Sequence, residues 1–477
     1  MKMTKFIKRY VGSRDFYKSI LIIAIPIMIQ NGITNFVTLL DNLMVGRLGT
    51  EAMSGVSIVN QFIFIFNLCV FGALAAAGIF TSQYFGVVDH DNVRYTFRFK
   101  IISNLVIGIA GVAIFLIFDE WLINLFLMGD DSVGDIAATL EFGKQYTAIM
   151  TIGLIPYAIA QAYASTVREV GNTVMPMVAS LAAVATNFVL NLVLIFGYLG
   201  FPALGVAGAA LATVISRFVE LGILLVYTHA KHNEFIFIKG AYKSLYIPRP
   251  LFRAILAKGI PLMFNEIFWA LAVTMRNQCY STRGIDVVAA QNINLTIFNV
   301  MSVIYMAIGI SISIVIGRLL GAGKIEEAKD TDRKMIAFSI FCGSVMAIAL
   351  VALAKVFPLL YNTSDEIRSL ASYMMVVSAI TMPFCSFAHS SYFTIRSGGK
   401  IFITMLLDSF YMWLVVMPVS AIIAYFTNLN IFIFYAICQS LEIIKAIFGG
   451  VLLKYGNWAH TLIEKNEEKA TKGGTND

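Results

Sequence analysis

Among the acidic side chains inside long apolar runs, three stand out as site candidates: Asp41, Glu266 and Asp408. An ionised group at membrane depth costs roughly 2.5–3.5 kcal/mol on insertion scales, so each needs water, a partner or a ligand. Asp41 lies near the outer end of the first run. It can hold a cation or a proton there, or be solvated or paired with Arg47. Glu266 follows the helix-bending Pro261 by five residues, beside Asn265 and close to Trp269. A buried carboxylate there fits a cleft-facing role in binding a proton or a cation, with Trp269 offering a π face; a structural polar contact is the alternative. Asp408 is a third candidate, although Arg396 or Lys400 could neutralise it. Asn187 and Asn191 stand four apart and share one helix face. Their amide oxygens are hard donors, but Asn also serves as polar glue between membrane helices.

Other polar groups in apolar runs have plainer readings. Arg217 with Glu220, and Glu442 with Lys445, are three apart and read as local ion pairs. His389 is a ligand or proton carrier if it faces a cleft, and a packed, hydrogen-bonded residue if not. Pro26, Pro156, Pro261, Pro383 and Pro418 lie in or near the runs and serve as hinges or fixed kinks. The five cysteines all sit in apolar runs without paired spacing, so neither a disulfide nor a metal site is expected. No HExxH, GxSxG or CxxC arrangement is present, and "GRLLGAG" (317–323) lacks the strand and the Gly-Lys-Ser/Thr of a phosphate loop. An enzyme would have no chemistry to use.

The elements that hold these groups are set by the solvent. The 477 residues are 58% hydrophobic and 13% charged, with mean hydropathy +0.79. Soluble proteins carry about 25% charged residues, so lipid is the expected surrounding. Twelve apolar runs are long enough to span, at 16–42, 52–82, 96–117, 138–165, 174–196, 204–228, 256–280, 287–317, 334–357, 370–395, 402–426 and 431–454. The net charge of +7 does not point to nucleic acid, because the basic residues concentrate in alternate connections. Lys2, Lys5, Lys8, Arg9, Arg14 and Lys18 begin the chain, and Lys231, Lys239, Lys243, Arg249, Arg253 and Lys258 lie between spans six and seven. That asymmetry places both termini in the cytoplasm. No cleavable signal is evident.

The first half of the chain recurs in the second at a constant offset. "AIPIMIQN" (24–31) returns as "GIPLMFNE" (259–266). Pro26 maps to Pro261, Gly49 to Gly284, Gly86 to Gly321 and Arg98 to Arg333 without a gap. A weaker echo pairs Arg168 with Arg396 and Gly171 with Gly399. The same mapping sets Gln30 and Asn31 against Asn265 and Glu266, which adds Gln30 and Asn31 to the candidate cleft residues. Six spans per half make the repeat parallel, with the lobes related about the membrane normal. The expected division is 1–228 as N-lobe, 229–255 as a cytoplasmic linker, 256–454 as C-lobe and 455–477 as a cytoplasmic tail, disordered from Glu464 onward.

The string "LLDNLMVGRLGTEAMSGVSIVNQ" (39–61), with "SQYFG", "REVGNT", "NFVLNLVLIFG", "GVAGAALAT", "GIPLMFNEIFWAL", "GRLLGAGKIEEAKD" and "IRSGGK", resembles the multidrug and toxic compound extrusion (MATE) family. The resemblance runs over about 14–454. It implies an all-α membrane protein of two six-helix bundles forming a V, and extrusion of organic, often cationic compounds driven by inward Na⁺ or H⁺. It also implies that Asp41 coordinates a cation or takes up a proton, with Asn187, Asn191 and Thr213 as companions and a possible Na⁺ site. The family branch with a well-described site carries a second carboxylate at the position of Asn191, so Asp41 is left as the acid of this cluster. Branches with a functional Glu in the seventh span place it a turn later, at Trp269, so no role is carried over to Glu266 from them.

The expectation is therefore a cation-coupled antiporter exporting small organic cations across the inner membrane by alternating access. It is not an enzyme and has no cofactor beyond Na⁺ or H⁺ as coupling ion. It is expected as a monomer in the lipid bilayer with no nucleic-acid partner. Its cleft residues would be Gln30, Asn31, Asn265, Glu266, Trp269, His389 and Asp408. A lipid-linked oligosaccharide flippase of the same broad superfamily, or a receptor or structural membrane protein without transport, are the alternatives.

Overall fold

The computed structural model describes residues 9–127, 135–361 and 363–463. The tail from Glu464, the lysines at 2, 5 and 8 and part of the acidic loop 119–135 lie outside the described residues.

Every described regular element is helical, and twelve helices are long and apolar enough to cross a membrane. In lipid a helix satisfies its own backbone hydrogen bonds, which is why long apolar runs take this form. In chain order the described α-helices are α1 (Arg14–Gly46), α2 (Thr50–Gly86), α3 (His90–Ile117), a short α4 (Asp119–Leu127), α5 (Ile136–Met150), α6 (Leu154–Glu169), α7 (Val174–Phe196), α8 (Gly205–Ala230), α9 (Arg249–Ser281), α10 (Ile285–Gly321), α11 (Ile325–Leu353), α12 (Asp365–Ser397), α13 (Ile401–Met405), α14 (Met417–Phe426) and α15 (Ile431–Tyr455). A 3₁₀ turn, Thr151–Gly153, joins α5 to α6 within one span, just before Pro156. Two π-helical stretches, Leu406–Phe410 and Met412–Val416, join α13 to α14 just before Pro418.

The repeat governs helix ends as well as residue identities. α9 begins and ends at the repeat equivalents of the first and last residues of α1, and α10 does the same relative to α2. Pro26 and Pro261 lie inside α1 and α9 at equivalent positions.

The contacts divide the chain into two compact units. One, the N-unit, holds Ile29–Thr81 and His90–Met263; the other, the C-unit, holds Met1–Met28, Ser82–Asp89 and Phe264–Asp477. The changeovers in α1 and α9 are again repeat-equivalent, each two residues after its proline.

The core of the N-unit joins α2 (Val56, Val59, Phe66) to α6 (Leu154, Ala158, Ala162) and α8 (Val206, Ala210, Val214). The segment after α8 belongs to the same unit. Phe235 and Phe237 are buried, and Phe97 meets Phe237 and Tyr163 edge-on or tilted. Arg98 donates to the carbonyls of Ala241 (2.8 Å), Gly240 (2.8 Å) and Tyr246 (2.9 Å), and Tyr163 bonds the Tyr242 hydroxyl. Five donors in a planar fork let one guanidinium fasten three carbonyls.

The C-unit has two main apolar clusters. One gathers α9, α12, α14 and α15 around Tyr280, Met374 and Phe434. The other gathers Ile20 of α1 with α10, α11 and α12 around Ile308, Met335 and Ile395. The chain after α15 returns to this unit. Gln83 donates to the Ser397 carbonyl (3.1 Å) and accepts from the Leu462 amide (2.8 Å), while Gly398 and Gly399 lie against Trp458 and Leu462.

Candidate functional site

In the N-unit, α7 and α8 cross at close range. Gly208 lies against the Leu194 backbone, and the Leu204 amide donates to the Leu194 carbonyl at 2.8 Å. Gly197, at φ +75°, makes the left-handed turn that lets the chain double back. That crossing brings Asn187 and Asn191 of α7 to Thr213 of α8, and α1 adds Asp41. Asn191 Nδ2 donates to Asp41 Oδ1 at 2.6 Å. With the Asn187 amide turned nitrogen-first, it donates to both Asp41 oxygens at 3.0 and 3.1 Å and accepts from Thr213 Oγ1 at 3.2 Å.

All four residues of this cluster therefore meet at one place. Among the described residues, no lysine, arginine or histidine forms an ion pair with Asp41, Arg47 included. Asn191 Oδ1 is buried without a donor among the described residues. A carboxylate held by neutral groups next to an orphaned amide oxygen is a hard-oxygen environment, which fits Na⁺ as well as a proton. No group of three or more His, Cys, Asp or Glu among the described residues forms a transition-metal site.

In the C-unit two acid clusters form. Asp408 stands in the first π-helical stretch. Its Oδ1 accepts from Lys445 Nζ at 3.1 Å and its Oδ2 from Asn265 Nδ2 at 3.0 Å. Ser409 Oγ lies 2.6 Å from Asn265 Oδ1, locking that amide's orientation. Glu266, the next residue of α9, accepts from Tyr392 Oη at 2.8 Å, and Arg396 Nη1 lies 4.0 Å away.

Several expected pairings change. The neutralising cation of Asp408 is Lys445 from α15, not Arg396 or Lys400. Lys445 correspondingly reaches Asp408 rather than making its ion pair with Glu442, because a neighbouring helix brings a carboxylate within its reach. Arg217 places its guanidinium 5.1 Å from the Tyr157 ring centre rather than in an ion pair with Glu220. His389 is enclosed by the rings of Tyr305, Tyr392 and Phe393. Trp269 packs on the apolar cluster around Tyr280. Gln30 accepts from Arg168 Nη1 at 3.3 Å, and Asn31 beside it is half-buried. Sequence reasoning missed Tyr392, Ser409 and the reach of Lys445, whose helix partners are 126, 144 and 37 residues distant. The Arg168/Arg396 echo was the available signal for the arginines: each reaches the first helix of its own repeat, at Gln30 and Glu266.

Twelve spanning helices, an internal repeat and buried acids define a polytopic membrane protein of the transporter kind rather than an enzyme. The MatE family profile matches residues 26–193 and 261–426, and the chain belongs to that family. It is 22% identical over 416 residues to the probable multidrug resistance protein YoeA of Bacillus subtilis, covering 87% of this chain and 88% of that one. It is 24% identical to the probable multidrug resistance protein NorM of Thermotoga maritima, at 87% and 88% coverage. Among solved structures, an outward-facing multidrug resistance MATE family transporter of the MOP superfamily aligns with TM-score 0.83 at 18% identity, over 94% of this chain and 98% of the other. The Vibrio cholerae MATE transporter VcmN in its bent form aligns with TM-score 0.79 at 16% identity, over 94% and 99%. At these identities the likeness shows the fold.

Proposed function

We propose that this multi-pass membrane protein is a cation-coupled antiporter that exports small organic, mainly cationic, drugs. It works as a monomer in the inner membrane with both termini in the cytoplasm, its two lobes alternating access. The observation that carries this reading is Asp41: an acid inside a spanning helix, held by Asn187 and Asn191 and with no ion-paired cation among the described residues. The names of relatives such as NorM and YoeA support drug efflux.

The chemistry of the coupling step lies in the amides. An ionised Asp41 is satisfied when the Asn187 and Asn191 nitrogens face it. A protonated Asp41 needs an acceptor, and a half turn of the Asn187 amide supplies one at the same place. Na⁺ would be held by Asp41, Asn187, Asn191 and Thr213 and would supply the positive charge that a proton otherwise brings. Either cation neutralises the acid and removes the cost of carrying it through the membrane. A ligand that favours one conformation shifts the population toward it, so occupancy of Asp41 biases the lobes.

The test is uptake of a fluorescent organic cation in proteoliposomes, with Na⁺ and pH gradients imposed separately. Transport driven by one of the two identifies the ion. Absence of gradient-driven transport in both overturns the reading.

A further inference from the structure

We propose that Lys445 is a resident cation of the C-unit that occupies Asp408 until an incoming organic cation displaces it, with Glu442 as its second acceptor. The inference rests on the transport reading above and names how its C-unit site takes substrate.

The two units treat their acids differently. Around Asp41 the neighbours are neutral amides and a hydroxyl. Asp408 and Glu266 each have a cation: Lys445 on Asp408, and Arg396 near Glu266. These two carboxylates and two cations sum to zero, so an added organic cation finds no surplus negative charge on them. Of these two acids, it gains one only by taking it from a side chain that already holds it.

Lys445 is the one of the two built to let go. Arg396 is held in place by more than Glu266: it also donates to Tyr392 Oη at 3.4 Å, and its guanidinium lies 5.3 Å from the Phe393 ring centre. Lysine carries a compact charge on a flexible stem, whereas arginine is a planar fork suited to fixed contacts. The Lys445 side chain keeps 12% exposure against 6% for Arg396, while both acids keep 14%. Charged groups with residual exposure at membrane depth face a watery interior rather than lipid.

A displaced ammonium also needs somewhere to go, because an unpaired buried charge is strongly unfavourable. Glu442 lies three residues earlier on α15, on the same face one turn away. A change of side-chain rotamer can carry the ammonium between the two acids. Asp408 meanwhile is kept in place from the other side by Asn265, itself fixed by Ser409. Its position in a π-helical stretch is of a kind often found at functional sites.

The experiment is equilibrium binding of tetraphenylphosphonium to the purified full chain, for the parent, Lys445→Gln and Glu442→Gln. Removal of the resident cation is expected to tighten binding by about tenfold, and removal of the second acceptor to weaken it by a similar factor. An ion pair that only held helices together would not move binding in these opposite directions. Lys445→Gln binding no tighter than the parent overturns the proposal, as does Glu442→Gln binding equally or more tightly. If Lys445→Gln does not fold, Glu442→Gln decides alone. Binding is read without an ion gradient, so a failure of coupled transport leaves this result standing, and the reverse also holds.

Discussion

Gly86 and Gly321 are repeat-equivalent, and each lies against the other's helix. A Cβ on Gly86 would meet the Arg318 carbonyl, and one on Gly321 would meet the Gln83 carbonyl. Arg318 and Gln83 are themselves repeat-equivalent, as are Ser82 and Gly317, which touch between them. The ends of α2 and α10 thus cross about a local two-fold, at a distance only glycine permits.

Gly86→Ala or Gly321→Ala is expected to lower stability by about 1–3 kcal/mol, since the added carbon meets backbone rather than a movable side chain. Gly222→Ala, where nothing lies within 4 Å, is the control and should leave stability equal or higher. Thermal melting in detergent checks both. Equal melting of all three variants would refute the crossing.

Asp41→Asn should preserve expression and abolish coupled efflux, because the amide carries neither the proton nor the charge that holds Na⁺. Asn191→Asp should strengthen Na⁺ binding by placing a second carboxylate on the same α7 face. Resistance and efflux assays read the first, isotope binding the second. Undiminished resistance with Asp41→Asn counts directly against the coupling role.

Arg98→Ala removes the side chain that fastens three carbonyls of the segment between the repeats. Trypsin should then cut after Lys239 or Lys243 far faster than in the parent. Arg98→Lys should protect only partly, since one ammonium cannot reproduce the fork. Unchanged cleavage would show that the aromatic contacts of Phe97 and Tyr163 hold the segment unaided.

Glu266→Gln should fold normally, since an amide oxygen can still accept from Tyr392 and the N-unit already sets neutral Gln30 against Arg168. Transport of organic cations should nevertheless fall by about tenfold or more if the charge acts in the cleft. Parent-like transport and binding would make Glu266 a structural contact.

What could be read in advance follows from the range of each interaction. The twelve spans depend on local apolar length, and the constant offset between the halves predicts equivalent helix ends in α1 and α9. Asn187 and Asn191 were legible as one face because helical spacing is local. The Lys445–Asp408 pair was not: helical spacing offers Glu442 first, and only packing of α15 near the π-helical stretch supplies the rival. Nor does composition reveal that Phe235 and Phe237, in an otherwise polar segment, are buried. The π-helical turns at Asp408 leave no readable signature, since the shift of face they impose cannot be seen in a run that is apolar almost all round.

The changeovers at Met28/Ile29 and Met263/Phe264 mean that each repeat lends its opening stretch to the unit built mostly from the other. A half-length chain ending before Arg249 would own a stretch it could not use and lack the one that completes its fold. Two such chains could satisfy each other only by exchanging those arms, as a swapped dimer does. The full-length protein is, in that sense, a swapped dimer written into one polypeptide, and separately expressed halves should find stability only in each other's company.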